Sequence, residues 1–435
     1  MTRVGASDDV PELARIGAAA LRALLDAHAV SAVEVVEAHL RRIEARDAEV
    51  RAWAFLDPEL ALHQARTRDE RAGSGAALDG VPVGFKDICD TADMPTAYGS
   101  PIYAGARPGR DAACVAATRA SGGIVLGKTV TTEFAGRNPD KTSNPLDPSR
   151  TPGGSSSGSA AAVADMQCPL AIGSQTAGST IRPAAYCGVH ALKPTFAAIS
   201  FAGMKNLCAR LDTIGLMGRS IDDLALFRCG LLGAPFAPLR PAEDPLRLGL
   251  CRTPYWDRAS PAVKERVEAA AAALATAGFA VEEVPYPAAT PDPGALCWAV
   301  IEFEMARTLA AEYAARAASM SPWARRSVEN GRAIAIETHH ANLRALAACE
   351  KAFDDLFGDF DALITPAAGE EAPVGLSDTG PPTFNTPFHV AGLPAVSVPL
   401  SVAPAAMPIG LQVIGQRCSD GRLLEVARAI ELALE

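Results

Sequence analysis

Short apolar runs alternate with helix-forming segments along this chain, and that alternation constrains its fold more than any single motif. Val81-Pro82-Val83-Gly84-Phe85, Gly123-Ile124-Val125-Leu126-Gly127 and Leu170-Ala171-Ile172-Gly173 read as strands, while Ala112 to Ala120 and Ser156 to Ala164 read as helices. The second half continues in kind. Leu246 to Leu250, Ala280 to Val284, Asp361 to Pro366, Ala395 to Pro399 and Ile409 to Ile414 are strand-like, and Pro261 to Ala277 and Leu423 to Leu434 are helix-like. Such interleaving predicts an α/β protein, a single large α/β/α domain whose mixed central sheet is covered by helices on both faces.

Other segments fill in this outline. Leu13 to Leu25 carries apolar residues at helical spacing, and Ser31 is an N-cap for a helix from Ala32 to Arg46, with Glu34 at the capping-box position. From Pro287 to about Phe357 the chain reads as mostly helical. The proline-rich stretch Ala234 to Pro245 is the best candidate for a boundary, and it reads as separating two halves of one fold. No internal repeat is visible.

Composition narrows the function. Of 435 residues, 49% are hydrophobic and 21% charged, enough apolar material for a sizeable core. A net charge of -10 argues against a nucleic-acid partner, because phosphate binding needs clustered Lys and Arg. The ten cysteines show no spacing suited to zinc, so no metal and no cofactor is expected. The start, Met1 to Asp9, lacks the apolar core of a signal peptide, and no apolar run reaches the ~18–20 residues of a membrane span. These features predict a cytoplasmic enzyme acting on a small molecule, with no membrane partner; a homodimer is left open.

Three features carry chemistry. They are the run Gly153-Gly154-Ser155-Ser156-Ser157-Gly158-Ser159, the cluster Gly173-Ser174-Gln175-Thr176-Ala177-Gly178-Ser179, and the lone lysine of Gly84-Phe85-Lys86-Asp87. Small residues let backbone N–H groups approach a substrate oxygen. Two serines and a lysine are what acyl transfer requires when no histidine serves as base. Taken singly, each has a bland reading, since serine-glycine runs are usually linkers and a lysine after a strand is usually a surface charge. This run, however, leads directly into Ala160-Ala161-Ala162-Val163-Ala164 and an apolar strand, as a linker would not.

In order and spacing these segments closely resemble the amidase signature family of serine hydrolases. The stretch concerned ends in Cys187-Gly188-Val189-His190-Ala191-Leu192-Lys193-Pro194-Thr195. The resemblance covers most of residues 1–435, but not the region of about 287–357, which in this family commonly shapes the substrate pocket. It implies Lys86 as the buried base, Ser155 as a bridging serine in a cis peptide, and Ser179 as the nucleophile. Backbone N–H groups of Thr176, Ala177, Gly178 and Ser179 would form the oxyanion hole. The implied function is hydrolysis of small amides through an acyl-enzyme, with some esters or carbamates (urethanes) also cleaved. The alternative is a glutamine-amidase component of a tRNA-dependent amidotransferase-like complex.

Three departures stand out from the family pattern. Gln175 replaces a common Asp, Ala177 a common Gly, and Arg182 stands one place later than usual. Some competing readings can be set aside. Gly154-Ser155-Ser156-Ser157-Gly158 satisfies the G-x-S-x-G elbow, but the prolines of Asn144 to Pro152 exclude the strand that an elbow needs. His389 shows no sign of a catalytic role, His339 and His340 read as solvated, and Cys187 as a packing thiol. Trp298, Phe303 and Trp323 read as core in preference to pocket lining.

Overall fold

The computed structural model describes residues 10–71, 75–241, 245–287, 292–400 and 406–435. The N-terminal segment read for a leader, and parts of the 234–245 and 287–357 stretches, lie outside them. Strands are numbered in chain order: β1 (Trp53–Leu56), β2 (Pro82–Lys86), β3 (Ile124–Thr129), β4 (Leu170–Gln175), β5 (His190–Lys193), β6 (Thr213–Gly218), β7 (Arg247–Cys251), β8 (Ala280–Val284), β9 (Ala362–Pro366), β10 (Ala395–Leu400) and β11 (Ile409–Ile414). They join in one sheet of 11 strands, ordered β1-β3-β2-β4-β6-β5-β10-β11-β9-β7-β8.

The sheet is mixed. β3, β2 and β4 run parallel, as do β9, β7 and β8, and antiparallel pairs join these two groups. Successive residues of a strand face opposite sides. Accordingly Leu363 belongs to one buried apolar cluster, and its neighbours Ala362 and Ile364 to another. Helices Ser157–Ala164, Ile181–Cys187 and Pro293–Thr308 contribute to the first cluster. Ile221–Leu232, Pro261–Thr276 and Asp420–Leu434 contribute to the second. The α/β class, the mixed sheet and the helices on both faces are therefore as the alternation predicts. Strands before and after residues 234–245 enter the same sheet, so the chain forms a single α/β domain.

Local differences have physical causes. Expected as one helix, residues 13–25 form two, Glu12–Arg15 and Ala18–Asp26. A Cβ at Gly17 would come within 3.0 Å of Asp223, whose carboxylate accepts from Ala19 N–H at 2.9 Å. A distant acid thus caps the second helix. The capping box at Ser31 and Glu34 is present, and its helix runs on to Val50. β1 and β5 have only four residues each, and β6 contains two glycines, so none shows the apolar run that marks a strand.

Helix Ser157–Ala164 is buried along its whole length. Gly158 makes that placement possible, since a Cβ there would lie 2.3 Å from the Ala52 carbonyl and 2.4 Å from Val130 N. Nearby, Arg42 and Asp165 form a buried ion pair at 2.8 Å.

Candidate active site

Lys86 ends β2, and Ser174 and Gln175 end the parallel neighbour β4. Carboxyl ends of parallel strands are where open α/β sheets build their sites. Lys86 is fully buried, and its Nζ donates to Ser155 Oγ at 2.6 Å and to Ser174 Oγ at 2.8 Å. Burial brings the lysine down to about 7, with Arg182 acting in the same direction and Cys89 and Asp212 opposing it. An amine held near neutrality can exist without its proton and then accept one from a hydroxyl.

The Gly154–Ser155 peptide is cis. Hydrogen bonds from several elements hold the segment around it, among them Thr132 N–H to the Ser155 carbonyl at 3.2 Å. Arg182 Nη2 donates to the Gly154 carbonyl at 2.5 Å, and its Nε to the Thr379 carbonyl at 2.8 Å. Ser156 Oγ donates to the Ser174 carbonyl at 3.2 Å and accepts from Ser174 N–H at 3.1 Å, which ties the segment to β4. Ser156 is thereby occupied with backbone, and among the described residues no strand lies directly before it, so the elbow has no structural support.

After β4 the chain turns through residues 176–180 into helix Ile181–Cys187. Gln175 Oε1 accepts from the N–H groups of Thr180 at 3.0 Å and Ile181 at 3.1 Å. This glutamine thus satisfies donors at the helix start, a role open equally to a carboxylate. Ala177 is not among the residues with positive φ, so its side chain brings no backbone penalty. Gly178 is required for a different reason: a Cβ there would lie 2.4 Å from Asn385 Oδ1 and 2.8 Å from Pro382 Cβ. Among the described residues, the N–H groups of Thr176, Ala177, Gly178 and Ser179 make no hydrogen bond within the chain. Thr176 Oγ1 donates to Asp212 at 2.6 Å, and that carboxylate also accepts from the N–H groups of Leu207 and Cys208. Burial pushes Asp212 up to about 6, against those hydrogen bonds.

Ser179 lines a small cavity, together with Thr176, Ala177, Arg182, Trp298, Ile301 and Trp323 among others. The structure therefore joins Lys86 directly to Ser155 and sets Ser179 at the neighbouring cavity. It shows no hydrogen bond between Ser155 and Ser179 among the described residues. Ser174, Asp212 and Arg182 went unassigned from sequence. Ser174 lies inside a motif already singled out, whereas nothing local marks Asp212, a lone acid before a glycine-containing strand.

Some expectations are corrected. Trp298 and Trp323 are partly buried and pack against the core but also line the cavity, because helices Pro293–Thr308 and Pro322–Ala333 turn them toward Ser179. Phe303 is core, as expected. His339 is not solvated: it is buried and stacked on Phe303 with ring centroids 3.7 Å apart, while His340 is exposed. Cys187 is a buried thiol, and His389 is buried beside Gln175.

Comparison with known proteins agrees with this architecture. A family model described as Amidase matches residues 34–424. The chain is 33% identical over 473 aligned positions to a glutamyl-tRNA(Gln) amidotransferase subunit from Chloroflexus aggregans, covering 97% of this chain and 96% of that protein. It is 31% identical over 440 positions to AmiD of Mycobacterium tuberculosis, a protein named as an amidase, covering 94% and 92%. Among solved structures, the peptide amidase of Stenotrophomonas maltophilia superposes with a TM-score of 0.79 at 28% identity, covering 97% and 98%. The lysine-bearing strand end, the serine-glycine segments and the near-complete match together place this chain in the amidase signature family.

Proposed function

We propose that this chain is an amidohydrolase that cleaves the C–N bond of small amides through an acyl-enzyme on Ser179. The observation that carries this reading is the buried Lys86 amine, 2.6 Å from Ser155 Oγ within the family's motif. In the proposed course, neutral Lys86 accepts a proton from Ser155, which takes one from Ser179 as its oxygen attacks the carbonyl carbon. A C–O bond forms, the C–N bond breaks, and the proton passes back through Ser155 to the departing nitrogen. Water then attacks the ester and releases the acid. The N–H groups of Thr176, Ala177, Gly178 and Ser179 would stabilise the tetrahedral oxyanion; losing one such donor typically costs roughly 10²–10³ in rate.

Esters and carbamates (urethanes) fall within the same chemistry, since each presents a carbonyl with a displaceable group. Residues 1–435 are read as one amidase domain, and the cavity-lining Trp298, Ile301 and Trp323 support a role for the 287–357 region in substrate choice. The test is intact mass and peptide mapping after treatment with a serine-directed fluorophosphonate. Label on Ser179 is expected, whereas label on Ser156, or none, would overturn the assignment. The amidotransferase components among the relatives favour a second reading, an ammonia-generating partner within a complex. Hydrolysis of simple amides by the purified chain alone, without faster use of glutamine, would decide against it.

A further inference from the structure

We infer that the cavity beside Ser179 is a slot for the aromatic acyl group of an arylcarboxamide, clamped by Trp298 and Trp323, with Arg182 donating a hydrogen bond to an acceptor on the substrate. This rests on the amidohydrolase reading and specifies its substrate class. The first observation is the wall. Trp298 and Trp323 meet edge to face, with centroids 6.4 Å apart and planes at 75°, and Ile301 and Leu207 extend the apolar surface. Trp323 reaches the site only because residue 136 has no side chain: a Cβ on Gly136 would lie 2.0 Å from its ring. Aromatic surfaces set at an angle favour a flat ring, by stacking on one and meeting the edge of the other.

The second observation is a buried donor without a partner. Arg182 is 4% exposed and lines the cavity, and while its Nε and Nη2 bind carbonyls, Nη1 has no hydrogen-bond partner. A buried unpaired guanidinium nitrogen is costly unless a ligand supplies an acceptor.

The third observation is charge. Arg137 and Arg182 are the charged residues of the lining, and no carboxylate is among them. The guanidinium of Arg137 lies 6.0 Å from the Trp298 ring centroid, and its Nη2 is 3.7 Å from Asp378. An α-ammonium group, as on glutamine, would meet two cations and no counter-ion, whereas a neutral or anionic substrate would not. The acyl part is assigned to the slot because the amine must depart before water attacks, while the acyl group stays on Ser179.

Ligand-observed NMR titration of the Ser179→Ala protein with benzamide, propionamide and glutamine tests the slot without requiring turnover. Benzamide is expected to bind at least about tenfold more tightly than the other two. Trp298→Ala in that background should weaken benzamide binding about tenfold, and Trp298→Phe, which keeps a ring, should retain most of it. Equal binding of benzamide and propionamide, preference for glutamine, or equal loss in both Trp298 variants would overturn the slot. Fluorophosphonate labelling of the unsubstituted chain separates the two readings. Label on Ser179 without benzamide preference defeats the slot alone, and absence of label defeats the hydrolase.

Discussion

Replacing Lys86 by methionine should change the pH dependence of stability in a way that can be worked out from the structure. The amine is fully buried and sits at about 7, against 10.5 for an ordinary lysine side chain. At about 1.36 kcal/mol per pH unit, this difference corresponds to about 5 kcal/mol. The sign follows from proton binding. Between pH 7 and 10.5 the unfolded chain holds the proton and the folded chain largely does not, so stability rises with pH across that window. Below about pH 7 both states are protonated, and the folded state carries the whole penalty. Methionine has no such group. Relative to Lys86→Met, the unsubstituted protein should gain about 3 kcal/mol between about pH 7 and about pH 9.5. Under acid conditions the variant should be the more stable by roughly 2–3 kcal/mol, after allowing about 1 kcal/mol for each lost hydrogen bond to Ser155 and Ser174. Denaturant midpoints and slopes over this pH range measure the effect. Parallel stability curves for the two proteins would refute the argument, because they would mean that Lys86 titrates alike in both states. On the activity side, kcat/KM should rise through about pH 7 in the unsubstituted enzyme and fall by several orders of magnitude in the variant.

Other substitutions test other parts of the site. Ser179→Ala should abolish turnover and leave the denaturation midpoint nearly unchanged, since a hydroxyl at the cavity contributes little packing; appreciable residual activity would refute its role as nucleophile. Gln175→Leu removes the acceptor for Thr180 and Ile181 N–H and should cost about 2 kcal/mol in stability, read from denaturation midpoints. Arg42→Met leaves the buried Asp165 with the longer contact to Arg46 at 3.3 Å as its ion pair and the hydrogen bond from Gln167 at 3.0 Å, and should cost about 3 kcal/mol. By comparison, Arg41→Met, at an exposed pair with Glu37, should change stability by less than about 0.5 kcal/mol in the same assay.

The strands that flank the candidate site were legible in the sequence because their information is local. Val83, Phe85, Leu170 and Ile172 form short apolar runs bounded by glycine and proline, and burial on both faces of a central strand demands such runs. Ser31 and Glu34 act within one helical turn, so their capping box could be read in the same way. The motif resemblance likewise supplied Lys86, Ser155 and Ser179 as candidates before any geometry was known. Short or glycine-bearing strands such as β5 and β6 carried too little apolar pattern to be seen, since pairing within the sheet, and not their own composition, makes them strands.

What tertiary structure decided involves partners far apart in the chain. Lys86 meets Ser155 across 69 residues, and Thr176 meets Asp212 across 36. Arg182 anchors the carbonyl of Thr379 across 197. Each residue has several readings on its own, and only burial together selects one. The tryptophans make the same point: an apolar ring on an amphipathic helix can face a core or a cavity, and periodicity does not distinguish the two. Gly136 admits Trp323 beside Ser179, and that placement became visible only when the helices of the second half were packed against the site.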